Sequence, residues 1–594
     1  MNREDLRSKY RDERLKRLRA DGNDQYLGAS GKFATMEADP YVEWAERPAQ
    51  QREVEVAIIG AGFAGLLAGA RLREVGVRDL CLIDGAGDVG GVWYWNRYPG
   101  AACDTAAMIY LPLLQETGYM PSAKYVEGPE IYEHAQRIAE HFHLKDGALF
   151  STEVEEMVWD EDRHQWVVTT NRGDTIRATF VVAGTGPLHR PKLPGVPGIE
   201  RFQGESFHTS RWNYAVTGGD ANGAPMDRLR SLRVGLLGTG ATGIQVVPKL
   251  GRDAGELYVF QRTPSSIDVR NNKPIDREWF SSLEDGWQQE WLTNFATLQT
   301  GGEADVDLVQ DGWTDIALRI RKRAFELFAA GVASEVVLRQ AYEESDDEKM
   351  NEIRERVDHE VHDALTAEAL KPWYRQLCKR PCFHDGYLQT FNLPNVHLID
   401  TDGAGVSEID ETGVVVGDRH VALDVLIYAS GFEVGTSWVR RSGFDPIGVG
   451  GETLSEHWRE GMVSLHGMHV SGFPNFFILG LAQAGNLVSN ITHNFSEGAK
   501  TIAAVIQHAR STGATRVETT PRAEQAWVDS LGDGRSSFMF DPECTPGYYN
   551  NEGLEVSLAD QKGRIGYPLG AVAFFDLMSQ WRSSGAFEGL AFVS

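Results

Sequence analysis

The chain is short of cysteine and of long apolar runs, and it has no excess of positive charge. Five cysteines occur in 594 residues: Cys81, Cys103, Cys378, Cys382 and Cys544. None are spaced Cys-x-x-Cys, which argues against a dithiol redox pair of the thioredoxin-reductase kind. Cys378 and Cys382 lie near His384, but no second ligand pair completes a zinc-type set. They are therefore expected to be ordinary thiols, and no metal is expected. So few thiols fit a reducing cytoplasm. No uninterrupted apolar run reaches the roughly 18 residues of a membrane span; the longest stretch, 54–72, is broken by glycines. The opening MNREDLRSKYRDERLKRLRA lacks the apolar core of a secretory signal. Lys and Arg number 58 against 85 Asp and Glu, a net charge of −27. That balance argues against nucleic acid or anionic membrane as a general partner. No obligate protein partner is indicated. The hydrophobic content of 42% is ordinary for a globular protein, and the length calls for two or more domains.

What is present is a pair of glycine loops. The first is VAIIGAGFAGLLAGARL, with Gly60, Gly62 and Gly65; the second is VGLLGTGATGIQVVPKL, with Gly238, Gly240 and Gly243. Each follows a short apolar run and opens a helix-like run, the context that the dinucleotide-binding fingerprint requires. The next strand ends at Asp84 in the first case and at Arg262 in the second, each 24 residues past its first glycine. A carboxylate at that position accepts hydrogen bonds from a ribose diol, whereas an arginine suits a 2′-phosphate. The first unit thus reads as a site for FAD, with NAD the alternative, and the second as a site for NADPH. A chain holding a flavin and a hydride donor is expected to be a redox enzyme.

The fold class expected is α/β, with two Rossmann-like dinucleotide-binding domains and a helical insertion in the second. Residues 1–53 read as a polar N-terminal extension, with Leu6, Tyr10, Leu15 and Leu18 giving a modest helical stripe. Residues 54–189 and 426–594 are assigned to the FAD domain, with strand-like segments near 151–183. Residues 190–270 and 372–425 are assigned to the NADP domain, after a proline-rich linker at 187–198. Residues 271–371 are the insertion, in which Met350, Ile353, Val357, Val361 and Leu365 recur at helical steps. The segment VLIYASGF, 425–432, reads as the return to the first domain.

Two further motifs carry a resemblance. FQGESFHTSRWN, with Phe202, Gly204, His208 and Trp212, resembles the fingerprint FxGxxxHxxxW of type I Baeyer–Villiger monooxygenases. GVWYWNRYPGAACD, with Gly91, Trp93, Tyr98, Pro99, Gly100 and Asp104, resembles that family's GxWxxxxYPGxxxD. Asn213 and Ser430 stand where the family usually has Pro or Asp and Thr. The resemblance implies that NADPH reduces FAD and that O2 adds to give a C4a-peroxyflavin. The peroxide then attacks a ketone, giving an ester or lactone. It also implies a catalytic arginine in a Lys-Arg pair, matched by Lys379-Arg380, with Asp104 as the carboxylate partner of Arg380. Lys379, with Arg262 and Thr263, is implied to reach the NADPH phosphate. Gly91, Trp93 and Asp104 fall to cofactor binding, Phe202, Gly204, His208 and Trp212 to coupling between domains. Tyr548 and Tyr549 in TPGYYNNEG fall to a lid over nicotinamide and substrate. The subgroup suggested is the one acting on large cyclic ketones or steroids. Arg380 as a surface ion pair and Asp104 as a helix N-cap ahead of TAAMIY are the plainer readings. As functions, a flavin monooxygenase of amines or sulfides and an uncoupled NADPH oxidase stay open as alternatives.

Overall fold

The computed structural model describes residues 3–29, 31–532 and 543–594. Met1, Asn2 and Ser30 of the N-terminal extension, and 533–542 of the C-terminal stretch, lie outside the described residues. The first nucleotide unit is built on Gln51–Ile59, which pairs in parallel with Leu80–Ile83 on one side and with Thr175–Ala183 on the other. Val154–Asp160 and Gln165–Thr170 extend this sheet as an antiparallel hairpin, and Pro446–Ile447 closes its edge. Phe476–Ile478 also pairs with Thr175–Ala183. The central strand reads VEVAII, and its end is buried on both faces. That burial explains the near-continuous apolar run of a parallel strand covered by helices. The helix Phe63–Glu74 covers one face and packs against Ile491–Thr512, with Leu66, Ile502, Val505 and Ile506 in one core.

The second unit is a five-stranded parallel sheet. Its order is Val396–Asp400, Glu256–Gln261, Arg233–Leu237, Val425–Tyr428 and Glu205–His208. This corrects the domain division at 426. The strand Val425–Tyr428 lies inside the second sheet, and the chain rejoins the first sheet only at Pro446–Ile447. An apolar run of four residues shows that a strand forms, not which sheet accepts it. The proline-rich stretch is also more than a linker: Lys192–Pro194 pairs antiparallel with Tyr26–Gly28 of the N-terminal extension.

Between Arg277 and Leu370 the chain forms five helices, the longest being Gly312–Ala329 and Ser334–Glu360. Met350, Ile353 and Val357 are buried, as the helical spacing requires, but Leu365 is 82% exposed. The helix stops at Glu360, and Val361 is extended. Asp363 then caps a new helix, Ala364–Leu370, by accepting from the Thr366 N–H. The apolar phase therefore restarts, and Leu365 lands on the solvent side. The N-terminal stripe departs likewise. In the helix Arg3–Arg17, Leu6 and Tyr10 are buried together with Glu13 and Arg17, while Leu15, and Leu18 just past the helix end, are exposed.

Ile353→Ala is expected to cost about 2–5 kcal/mol by emptying a packed site. Leu365→Ala is expected to stay within about 0.5 kcal/mol. Thermal unfolding of the two variants side by side checks this; equal losses would put Leu365 in the core.

Candidate active site and nucleotide sites

In both units the first glycine of the loop has a positive φ, +101° at Gly60 and +115° at Gly238. A Cβ there would stand 2.4 Å from the Gly184 carbonyl oxygen in the first case and 2.5 Å from that of Ala429 in the second. The third glycines, Gly65 and Gly243, sit so close to the first that a Cβ would come within 1.8 and 2.3 Å of their carbonyl oxygens. The middle glycines, Gly62 and Gly240, are N-caps without side-chain capping. The first-turn N–H groups are thus left for an anion. Gly91 backs onto Gly62, where a Cβ would lie 2.6 Å from the Gly62 Cα. These are cradles in which bare backbone approaches a pyrophosphate, so the residues fit the two dinucleotides. Trp93, two residues on, is buried, and its indole N–H donates to the Tyr110 hydroxyl at 2.9 Å.

Asp84 accepts from the backbone N–H groups of Ala61 at 2.5 Å and Ala86 at 2.8 Å. Burial pushes its pKa up to about 6 against these two donors. A carboxylate so placed gains from further donors, and a ribose diol supplies them. At the matched position, Arg262 donates to the Gln25 side-chain oxygen at 2.5 Å and lies 3.4 Å from both the Tyr26 hydroxyl and the Glu552 carboxylate. Thr263 follows it, half-turned under Thr239, whose hydroxyl donates to the Thr263 carbonyl at 3.0 Å. Lys379 has no hydrogen-bond or ion-pair partner among the described residues. Burial, and then the neighbouring Arg262 charge, push its pKa down to about 8. A partnerless ammonium beside a second cation fits a phosphate dianion.

Arg380 and Asp104 meet as a bidentate pair. Arg380 Nη1 donates to Asp104 Oδ2 at 2.7 Å, and Nη2 donates to Oδ1. The Asp104 side chain is 5% exposed. Burial works against the Arg380 charge, but Asp104 more than offsets this, and the guanidinium is held well above its ordinary range. Asp104 is not a helix cap; the following short helix starts at Ala107 with Ala106 as its N-cap. Trp313 completes the setting, its indole donating to the Asp104 carbonyl at 3.3 Å and its ring centroid 5.8 Å from the Arg380 guanidinium. Asp311 places it by capping the helix Gly312–Ala329. Sequence reasoning missed Trp313, and no local signal marks it.

The cysteine expectation needs correction. Cys378 and Cys544 form a disulfide, so neither is the ordinary thiol expected, whereas Cys382 is free. The bond ties the Lys379-Arg380 segment to the loop carrying Tyr548 and Tyr549. Those two rings pack edge to face at 4.6 Å, and both feel the Arg380 charge.

The remaining motif residues pack in the second unit, and Arg211 beside them reaches the first. The strand Glu205–His208 is the edge of the second sheet, and a Cβ on Gly204 would meet the Asp424 carbonyl oxygen at 2.5 Å. Phe202 packs beside that same glycine. His208 is fully buried, and burial pushes its pKa down to about 3, so it is neutral at physiological pH and unsuited to proton transfer. Trp212 is buried, donates to the Thr217 hydroxyl at 3.1 Å and packs edge-on against Phe207. Arg211, between them, lies 3.6 Å over the Trp95 ring of the first unit. On the other side, the Tyr98 hydroxyl donates to Gln245 Oε1 at 2.7 Å, and Gln245 Nε2 donates to the Ala102 carbonyl at 2.8 Å. Helix Ala241–Asp253 of the second unit thus grips the loop that delivers Asp104.

Beside the pair opens a cavity of about 1120 Å³, lined by Pro381, Trp313, Tyr549, Leu487 and mostly aliphatic and aromatic residues of Gly312–Ala329. Phe325, Phe328 and Leu338 form an exposed apolar rim at its mouth.

Two nucleotide cradles, together with an arginine paired with a buried carboxylate, fit an NADPH-dependent flavin monooxygenase. A family profile, pyridine nucleotide-disulphide oxidoreductase, matches residues 57–223. The chain is 48% identical to neopentalenolactone D synthase of Streptomyces avermitilis, over 98% of each chain. It is 47% identical to a Baeyer–Villiger monooxygenase of Streptomyces coelicolor, over 99% of this chain and 96% of that one. Among solved structures, it is similar to a polycyclic ketone monooxygenase from Thermothelomyces thermophila, with a TM-score of 0.91 and 36% identity over 100% of this chain and 99% of that one. A steroid monooxygenase bound to NADP superposes with a TM-score of 0.72 at 28% identity, over 91% of this chain and 99% of that one. The chain belongs to the Baeyer–Villiger monooxygenases, enzymes that use FAD and NADPH to insert one oxygen atom of O2 beside a ketone carbonyl. Among the described residues no helix is long and apolar enough to cross a membrane.

Gly91→Val is expected to yield protein with little bound flavin, because its side chain collides with Gly62 and its backbone has φ +55°. Flavin absorbance per mole of purified protein measures this; a fully yellow variant would separate Gly91 from the flavin cradle.

Proposed function

We propose that this enzyme oxygenates bulky polycyclic ketones, with Arg380 as catalytic residue and Asp104 as its positioning partner. The observation that carries the reading is the large apolar cavity opening beside a guanidinium paired with a buried carboxylate. Likeness to the polycyclic ketone monooxygenase supports it. Bound flavin, reduced by NADPH, supplies the activated oxygen that is inserted. The chain supplies the rest. Arg380 faces the negative charge that develops as oxygen bonds to the carbonyl carbon. A guanidinium keeps its proton there, where a lysine is liable to lose it. Asp104 fixes the fork of Arg380 and lowers the cost of burying it. The apolar wall holds the fused rings and excludes water. Tyr548 and Tyr549 belong to a lid over nicotinamide and substrate: Tyr549 lines the cavity, and the Cys378–Cys544 bond anchors the base of their loop. Asp84 binds the FAD ribose, while Arg262, Thr263 and Lys379 bind the NADPH 2′-phosphate. The junction motif at Phe202, Gly204, His208 and Trp212 couples the two units. The reading places the enzyme in the cytoplasm, where NADPH is supplied, working without an obligate protein partner. The disulfide is buried away from solvent thiols.

Arg380→Ala is expected to keep its flavin and its NADPH oxidation but to lose ester formation by about 100-fold or more. Chromatography of the product from a polycyclic ketone checks this, and retained ester formation would remove Arg380 from its role. Lys379 is a cation below about pH 8 and loses its proton as pH rises through that value. NADP+ affinity is therefore expected to fall across that range, and the fall to be absent in Lys379→Met. Titration calorimetry at several pH values decides; a pH-independent affinity in the parent protein would separate Lys379 from the phosphate.

A further inference from the structure

The first 53 residues have no role in the account above, yet they meet the second nucleotide loop directly. The helix Arg3–Arg17 ends beside the strand end that carries Arg262. Arg17 Nε donates to the Arg262 carbonyl at 3.2 Å and to the Thr263 hydroxyl at 3.1 Å. Arg17 Nη1 donates to the Glu13 carboxylate and carbonyl, each at 2.6 Å. A few residues on, Gln25 accepts from the Arg262 guanidinium and Tyr26 stands at its other nitrogen. Lys192 lies over the Tyr26 ring at 3.8 Å.

The charges do not balance. Arg262 pairs with the buried Glu552, and Arg17 with Glu13, which Lys9 and Lys16 share. The side chains of Lys379 and Lys192 have no hydrogen-bond or ion-pair partner among the described residues, although Lys192 also feels Glu433 and Asp400 faces Arg17. Lys379 feels both Arg262 and Arg17, and Lys192 feels Arg262. In a chain of net charge −27 this is a local excess of cations, and a phosphate monoester dianion neutralises it. The hydrogen-bond polarity agrees. The Thr263 hydroxyl accepts from Arg17, which leaves its own proton free to donate to a phosphate oxygen.

We infer that the N-terminal arm is a wall of the NADPH 2′-phosphate site, with Arg17 as a cation of that site and Gln25 and Tyr26 as the braces of Arg262. This rests on the reading of the second loop as the NADPH site. The arm also holds the lid loop: Asn23 donates to the Asn551 side-chain oxygen at 2.9 Å, and Arg14 donates to the Gly553 carbonyl at 3.0 Å. Phosphate pocket, arm and lid are thereby one hydrogen-bonded unit.

Calorimetric titration of the flavin-loaded, oxidised protein with NADP+ and with NAD+ tests this. Arg17→Gln is expected to weaken NADP+ about tenfold, the loss of one charge-assisted contact, and to leave NAD+ within about twofold. No change for NADP+, or an equal change for both nucleotides, overturns the inference. Arg262→Ala is the reference. If it loses NADP+ selectively and Arg17→Gln does not, the inference falls while the NADPH reading stands. If neither variant discriminates, the NADPH reading falls and takes the inference with it. Where Arg17→Gln fails to accumulate with flavin, Arg17→Lys decides, since it keeps the charge but not the fork. A smaller, NADP+-only loss supports the site, and a parallel loss overturns it.

Discussion

The pairing of Arg380 with the buried carboxylate of Asp104 is the constraint on which the rest of the molecule turns. A carboxylate taken out of water is costly unless a cation meets it with good geometry. Here the two partners come from different units. Asp104 lies in the first unit, in the loop between the short helices Val92–Trp95 and Ala107–Tyr110, and Arg380 lies on the segment that re-enters the second unit after the inserted helices. The pair therefore exists only when the units are docked. Much of the architecture serves that docking: Gln245 holding the Asp104 loop, Arg211 stacked on Trp95, and Trp313 delivered by a capped helix from the insertion.

The two nucleotide cradles show how one backbone solution is given opposite electrostatics. The loops repeat the same positive-φ glycine and the same bare helix start. The residue at the next strand end then differs in charge. Asp84 is a carboxylate in need of donors, and Arg262 belongs to a knot of cations in need of an anion. Such a knot is tolerable in a strongly acidic protein because it is local and buried, where screening by the distant surface charge is weak.

What the sequence made legible is what lies within a short span of chain. The glycine loops and the ribose-site residues Asp84 and Arg262 are readable because spacing within about 25 residues fixes their places on strand, turn and helix; Asp104 and the Lys379-Arg380 pair come only from the resemblance of the motifs around them to a known family. Where the reading failed, distance or a restarted phase was the cause. Val425–Tyr428 was recognisable as a strand, but its neighbours lie far off in the chain. Leu365 continued a period that Val361 and Asp363 had already broken. Cys378 and Cys544 are 166 residues apart, and no spacing rule joins them. Trp313 and Arg17 act only through contacts made in the folded chain.

The apolar rim of Phe325, Phe328 and Leu338 has a consequence for the protein as a colloid. Side chains of this kind, left 61–66% in water, invite the same surface of another copy. Mutual repulsion between molecules that each carry 27 net negative charges opposes that contact. The acidity of the outer surface and the greasiness of the entrance are thus complementary: the first makes the second sustainable in dilute salt, and added electrolyte shortens the reach of that protection.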